Sequence, residues 1–220
     1  MLGTAGHVFH VINRGVRRLE LFEHDGEYRL FLQSFAEAYD RVPLDVFAYC
    51  LMPNHFHFVL RPRRDGQLAE FMRLGTVRHS VRWHWQRGSQ GGGCVYQARY
   101  RAFPIQTDRY FLNACSYVEA NALRSLLVDR AENWEWSSLS ARIKNCHILP
   151  LHEWPILRPS DWTEIVNRQH TQDELLTIRR SLMHSRPLGE PEWSESVANS
   201  LALSTNRPPG RPRKQGSGVV

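Results

Sequence analysis

Residues 44–62, LDVFAYCLMPNHFHFVLRP, constrain this chain more than any other stretch. Two runs rich in strand formers flank a Met-Pro-Asn turn, and Pro62 ends the second run. The spacing predicts a β-hairpin. Its second arm carries His55 and His57, which share one face of a strand, while Phe56, Phe58 and Leu60 point the other way.

The surrounding patterns supply partners for that hairpin. HVFHVINRG alternates Val8, His10 and Ile12 with Phe9, Val11 and Asn13, stops at Gly15, and reads as a strand. Residues 25–41 place Tyr28, Phe31, Leu32, Phe35 and Tyr39 at steps of three and four, a helix that Asp25 could cap. A second helical pattern over 65–87 has Leu68, Phe71, Met72, Leu74 and Val77 on its apolar side, with Arg73, Arg78, Arg82 and Arg87 exposed. RGSQGGG reads as a flexible loop. CVYQARYRAFPIQ is then expected to form a strand with Arg99 and Arg101 on one side. From Asp108 to about Val128 a third helix follows, with Leu112, Cys115, Val118, Ala122 and Leu126 as its apolar stripe.

Strand, helix, strand, strand, helix, strand is the order of an α+β, ferredoxin-like βαββαβ fold, an antiparallel sheet with helices on one face and the other free for a ligand. The expected organisation is a catalytic domain over 1–145, a small helical extension over 146–203, and a flexible tail over 204–220. That tail, containing NRPPGRPRKQGSGVV, is basic and rich in Pro and Gly, and cannot bury enough surface to fold alone.

At 220 residues and 42% hydrophobic content, disorder of the whole is excluded. The start of the chain lacks a signal-peptide pattern and no run reaches the ~20 apolar residues of a membrane span, so a cytoplasmic protein is expected. Cys50, Cys94, Cys115 and Cys146 have no short-range pairing, which argues against a zinc ribbon or a disulfide framework. The net charge of +6 favours a polyanionic partner. Charge is concentrated between Arg61 and Arg109, where ten arginines face Asp65, Glu70 and Asp108, an excess of +7.

Two imidazoles about 7 Å apart along a strand can converge on one metal ion, or can simply be hydrogen-bonded histidines on a solvated sheet face. A two-imidazole site needs further ligands. The third helix offers a polar stripe of Tyr110, Asn113, Tyr117, Asn121 and Arg124, in which Tyr117 and Asn121 lie one turn apart. An amide oxygen can ligate a hard cation. The same stripe also fits an ordinary solvated helix face.

YCLMPNHFHFVLRP, with FHVINRG before it and YVEANALRSLLV and WEWSS after it, resembles the HUH single-tyrosine transposases, in particular the bacterial REP-associated tyrosine transposases. The likeness runs from about His7 to Ser138, and NALR replaces the NPVR that members often carry. It implies that His55 and His57 bind Mg2+ or Mn2+, that Tyr117 is the nucleophile, and that Asn121 is a third ligand or positions phosphate. It implies further that the protein recognises DNA hairpins of palindromic repeats. It would cut and rejoin single-stranded DNA through a 5′-phosphotyrosine, as monomer or homodimer, at the bacterial nucleoid. Tyr96, Tyr100 and Tyr110 are rival nucleophiles by proximity, but only Tyr117 matches the family spacing. The alternative is a transposase-derived protein that binds hairpins without cutting them.

Arg73, Arg78, Arg82, Arg99 and Arg101 are the expected contacts to DNA backbone in the body of the protein. In the tail, Arg211, Arg213 and Lys214 lie in a Gly-Arg-Pro-Arg context that resembles an AT-hook, whose arginines enter a narrow minor groove; a plain basic tail is the competing reading.

Overall fold

The computed structural model describes residues 3–168 and 170–203, so Arg211, Arg213 and Lys214 lie outside the described residues. The chain runs β1 (Val8–Arg14), α1 (Asp25–Arg41), β2 (Asp45–Met52), β3 (His55–Arg61), α2 (Gln67–Gln86) and β4 (Arg101–Ile105). There follow α3 (Arg109–Glu119), α4 (Asn121–Arg124), α5 (Ser138–Ile143), α6 (Trp162–Asn167), α7 (Gln172–His184) and α8 (Pro191–Ser200). The four strands form one antiparallel sheet in the order β2-β3-β1-β4, the order of a ferredoxin-like fold. The predicted hairpin forms, with Cys50 opposite His57 and Met52 opposite His55.

Strand alternation sends two sets of side chains to two cores. Phe9, Val11, Tyr49, Leu51, Phe56 and Phe58 face α1 and α2, where Phe31, Phe35 and Phe71 meet them. The two helices touch at Gly75, where a Cβ would come within 2.4 Å of the Phe35 ring. On the opposite face, Val8, Ala48, Cys50, Val59, Phe103 and Ile105 pack against Phe111, Ala114, Cys115 and Val118 of α3.

This second layer corrects the expectation of an uncovered face. The two crossover helices do share one side, but α3 and the extension, through Trp162, Val166 and Ile178, bury most of the other. The extension reaches the first core as well, through Leu149, Val197 and Leu201. Both sheet edges are occupied. On the β2 side, Leu51 N–H donates to the Trp136 carbonyl (2.9 Å) and Tyr49 N–H to Ser138 Oγ (2.9 Å). On the β4 side, Leu188 N–H donates to the Pro104 carbonyl and Gln106 N–H to the Leu188 carbonyl, each 2.8 Å.

Four local expectations also change. Residues 94–100 are not strand: β1 ends at Arg14, so this segment instead reaches back to the turn beyond it, with Gln97 N–H on the Arg14 carbonyl and Val16 N–H on the Val95 carbonyl. The helix from Asp108 breaks at Ala120 (φ −83°, ψ 3°) and ends by residue 124, leaving Leu126 91% exposed at φ 56° and outside the core. Asp25 does not cap α1, since His24 occupies that position; the Glu27 carboxylate accepts the Glu23 N–H instead (2.6 Å). Val77, placed on the apolar side of α2 by its spacing, is 53% exposed.

Candidate active site

His57 is buried at the centre of the second face, and His55 stands beside it with ring centroids 5.1 Å apart. His10 on neighbouring β1 points to the same face, and its Nε2 lies 2.8 Å from His57 Nδ1. That bond fixes the His57 ring and leaves Nε2 as the nitrogen available to a ligand, the usual way an outer partner orients a metal-binding imidazole. His55 is held in turn by Asn54, with Nδ1 2.7 Å from Oδ1.

All three rings are kept neutral. Burial, then the Arg124 charge, lowers His10 to about 3. Burial, then Arg14 and Arg124, lowers His55 to about 4. For His57, burial and the neighbouring rings push the value well below 6.5. A neutral imidazole is the form that donates a lone pair to a cation.

Tyr117 comes down from α3 onto this cluster. Its ring is 6.1 Å from both His57 and His10, and the residue is 8% exposed. The two groups that sequence spacing placed on separate elements therefore meet. Tyr96 and Tyr100 pack against the opposite core, and the Tyr96 hydroxyl is taken by His79 Nδ1 at 2.7 Å. Tyr110 carries the Arg109 guanidinium over its ring near the start of α3.

Asn121 arrives beside Tyr117, and its amide is held by three hydrogen bonds. Nδ2 donates to the Tyr117 and Val118 carbonyls (3.3 and 3.2 Å), and Oδ1 accepts from Arg124 (2.8 Å). The imidazole pair suits a divalent cation, and the amide oxygen keeps one lone pair beyond its bond to Arg124. Among the described residues no group of three or more His, Cys, Asp or Glu side chains is arranged to hold a metal, so further ligands would have to come from other oxygens.

Several neighbours carried no signal strong enough to single them out. His10 sits in the alternation of β1, but only the register of β1 against β3 brings it to His57. Glu119, fully buried two residues past Tyr117, accepts from Trp162 Nε1 (2.7 Å) and Ser138 Oγ, which ties α3 to α5 and α6. His170, from the extension, reaches Ser116 Oγ at 3.2 Å and lies 6.3 Å from the Tyr117 ring.

The basic segment looks different in three dimensions. Arg78 and Arg82 pair with Glu37 of α1 at 2.8 and 2.7 Å, Arg61 and Arg63 with Asp45, and Arg87 with Glu23 and Glu27. Arg101 donates to the carbonyls of Leu182 and Met183. Much of the local excess is thus neutralised by carboxylates from other elements. Arg73 and Arg99 remain exposed and line a cavity of about 910 Å3 between α2 and the 93–100 loop, on the face away from the histidines.

Residues 4–121 match the family described as IS200-like transposases, and that span holds both histidines, Tyr117 and Asn121. The chain belongs to this family. No curated protein matches it. Among solved structures, a REP-associated tyrosine transposase bound to a REP hairpin shares the fold with a TM-score of 0.53 at 16% identity, over 78% of this chain and 96% of that one. A Deinococcus radiodurans R1 protein described as a transposase aligns with a TM-score of 0.39 at 13% identity, over 64% of this chain and 92% of that one. The match to this IS200-like transposase family ends at Asn121, so Arg124 and His170 lie beyond the matched span. No helix among its described residues is long and apolar enough to cross a membrane.

Proposed function

We propose that this IS200-like transposase binds a DNA hairpin and cuts and rejoins an adjacent single strand through Tyr117. The observation that supports this most directly is the 6.1 Å approach of the Tyr117 ring to His57 within the family span. In the reaction, the Tyr117 oxygen attacks phosphorus as the bond to the 3′ oxygen breaks. The phenolic proton is lost, the departing oxygen takes one up, and the products are a 5′-phosphotyrosine and a free 3′-hydroxyl. Attack by a 3′-hydroxyl reverses the step and rejoins strands with no external energy source.

His55 and His57 would hold Mg2+ or Mn2+, and a cation bound there supplies charge stabilisation on the phosphate oxygens. His10 keeps the His57 ring in its ligating orientation. Arg124 lies against the Tyr117 ring and holds its carbonyl, which limits the directions from which the phenol can attack. Covering of the sheet face by α3 keeps the imidazoles dry and neutral.

A second reading, a hairpin-binding protein that does not cut, is favoured by one feature: the Asn121 oxygen already accepts a bond from Arg124. Incubation with a single strand bearing a hairpin, in Mg2+ or Mn2+, followed by a denaturing gel, tests both. A covalent adduct absent from Tyr117→Phe supports the cutting enzyme. An adduct that persists in Tyr117→Phe overturns the assignment of Tyr117, and hairpin binding with no adduct in any divalent metal supports the non-cutting protein.

A further inference from the structure

Two arginines outside the basic segment, Arg14 and Arg18, stand beside the histidines, and Arg14 also borders Arg99 and Arg101 of that segment. Arg14 ends β1 next to the histidines, and its Nε is buried without a hydrogen-bond partner among the described residues. Arg18 follows in a short turn over residues 16–18 in which both Arg17 (φ 50°) and Arg18 (φ 64°) adopt the left-handed conformation. For arginine that conformation is strained, and such strain persists only where the surroundings enforce it. Here the enforcement is visible. Gly15 N–H donates to the Asn54 carbonyl (2.9 Å), Leu21 and Phe22 N–H groups donate to the Pro53 carbonyl (2.7 and 3.1 Å), and a Cβ on Gly15 would meet the Leu19 carbonyl oxygen at 2.3 Å. The turn is bolted to the tip of the β2–β3 hairpin, directly beside His55.

Between them lies a cavity of about 430 Å3, lined by Arg14, Arg18, Asn54, His55, Ser125 and Leu127 among others. Its size falls within the ~300–1,000 Å3 range of small-ligand sites. Arg14 also lines a second, smaller hollow shared with Arg99 and Arg101, so positive charge continues from the β4 edge to the mouth of the histidine pair. The walls combine guanidinium groups for a phosphodiester, hydroxyl and amide groups for a base edge, and an aliphatic surface for a ring face.

The geometry points to this cavity as a nucleotide site that seats the single-stranded DNA residue flanking the phosphate presented to Tyr117, with Arg14 and Arg18 holding its backbone. The inference rests on the reading of the protein as a single-strand-acting transposase and adds to it where the strand enters. Arg14 stands opposite His55 in the β1–β3 register, which places a phosphate held by it next to the imidazole pair.

The test measures binding of a short hairpin-free DNA single strand in EDTA, where no covalent chemistry occurs, across a salt series. Arg14→Gln and Arg18→Gln should each weaken binding on the order of tenfold and reduce the magnitude of the log–log salt slope by about 0.7. Arg130→Gln, an exposed arginine paired with Glu132 and Glu164, serves as the control. Ser125→Trp, an exposed position at the cavity wall, should block binding without removing a charge. Arg18 is exposed, so its variant folds even where Arg14→Gln does not, and far-UV circular dichroism checks each. Unchanged affinity and slope in folded Arg18→Gln would overturn the inference, as would loss in Arg18→Gln with full binding by Ser125→Trp, which would leave only a surface patch. Failure of the adduct assay with strand binding and its arginine dependence intact would instead count against the cutting reaction alone.

Discussion

The Arg124 guanidinium carbon sits 3.9 Å from the centroid of the Tyr117 ring, and the same group donates to the Tyr117 carbonyl at 2.7 Å. One side chain therefore grips the proposed nucleophile from its face and from its backbone. Arg124→Ala should slow single-turnover adduct formation on the order of tenfold through lost orientation. It should also lower unfolding free energy by about 1–2 kcal/mol. Equal adduct rates for variant and parent would show that the grip does not matter to the chemistry.

His10 is expected to act only through His57. His10→Phe keeps a ring against Phe103, 4.9 Å away in the parent, but removes the nitrogen that orients His57. Mn2+ affinity, read by titration calorimetry, should fall about 10- to 100-fold, the usual effect of losing an outer partner of a ligating histidine. Unaltered Mn2+ binding would separate His10 from the metal.

Glu119 ties the end of α3 to the extension through Ser138 and Trp162, and burial raises its pKa despite those bonds. Glu119→Ala leaves the buried Trp162 N–H without a partner beside a new void, with Ser138 left only the Tyr49 carbonyl at 3.3 Å, and should cost about 2–4 kcal/mol in urea denaturation. Glu119→Gln, which keeps an acceptor for one of them, should cost less. Comparable losses in the two variants would mean that the lost carboxylate bonding, not volume, matters there.

His79 gives the fold a pH dependence away from the active site. It is fully buried, its Nδ1 is bonded to Tyr96, and burial followed by the Arg87 charge lowers its pKa to about 3. The unfolded chain takes up this proton as pH falls through about 6.5, whereas the folded chain does not until about pH 3. Stability is thus complete above pH 6.5 and declines below it, at a limiting rate of roughly 1.4 kcal/mol per pH unit from this residue. His79→Gln should flatten that slope in denaturant midpoints measured between pH 7 and 5. A slope unchanged by the substitution would assign the acid sensitivity to other groups.

The Glu37 pairs make a further prediction about DNA. Arg78→Gln and Arg82→Gln should each change single-strand affinity less than Arg18→Gln does, because their charge is already matched within the chain. A larger loss in either would show that DNA displaces Glu37 and recruits both arginines.

Much of this could be read from sequence because the signals were local. Alternation in 8–13 and 55–60, and steps of three and four in 28–39, reported the strands and helix that formed. The motif spacing put Tyr117 one turn before Asn121 and on the helix that meets His57. What failed depended on partners distant along the chain. Nothing near Arg78 or Arg82 announces Glu37, some 41 residues away, and nothing near Asn121 shows that Arg124 takes its oxygen. The strand expected over 94–100 had the right residue types, but it meets β1 only at its end, through Gln97 on Arg14 and a single bridge from Tyr96 to Gly15. The covered second face follows from α3 and the extension, which is placed by contacts between residues far apart along the chain, such as Trp162 on Glu119.

Because Trp136, Ser138 and Leu188 already cap the two outermost strands, a second copy of this chain has no ready ribbon of peptide groups to extend. Any pairing of protomers would have to run through helices or loops, or first peel one of these covering segments away. The same caps protect the folded protein from stacking strand upon strand into aggregates at the concentrations of its synthesis.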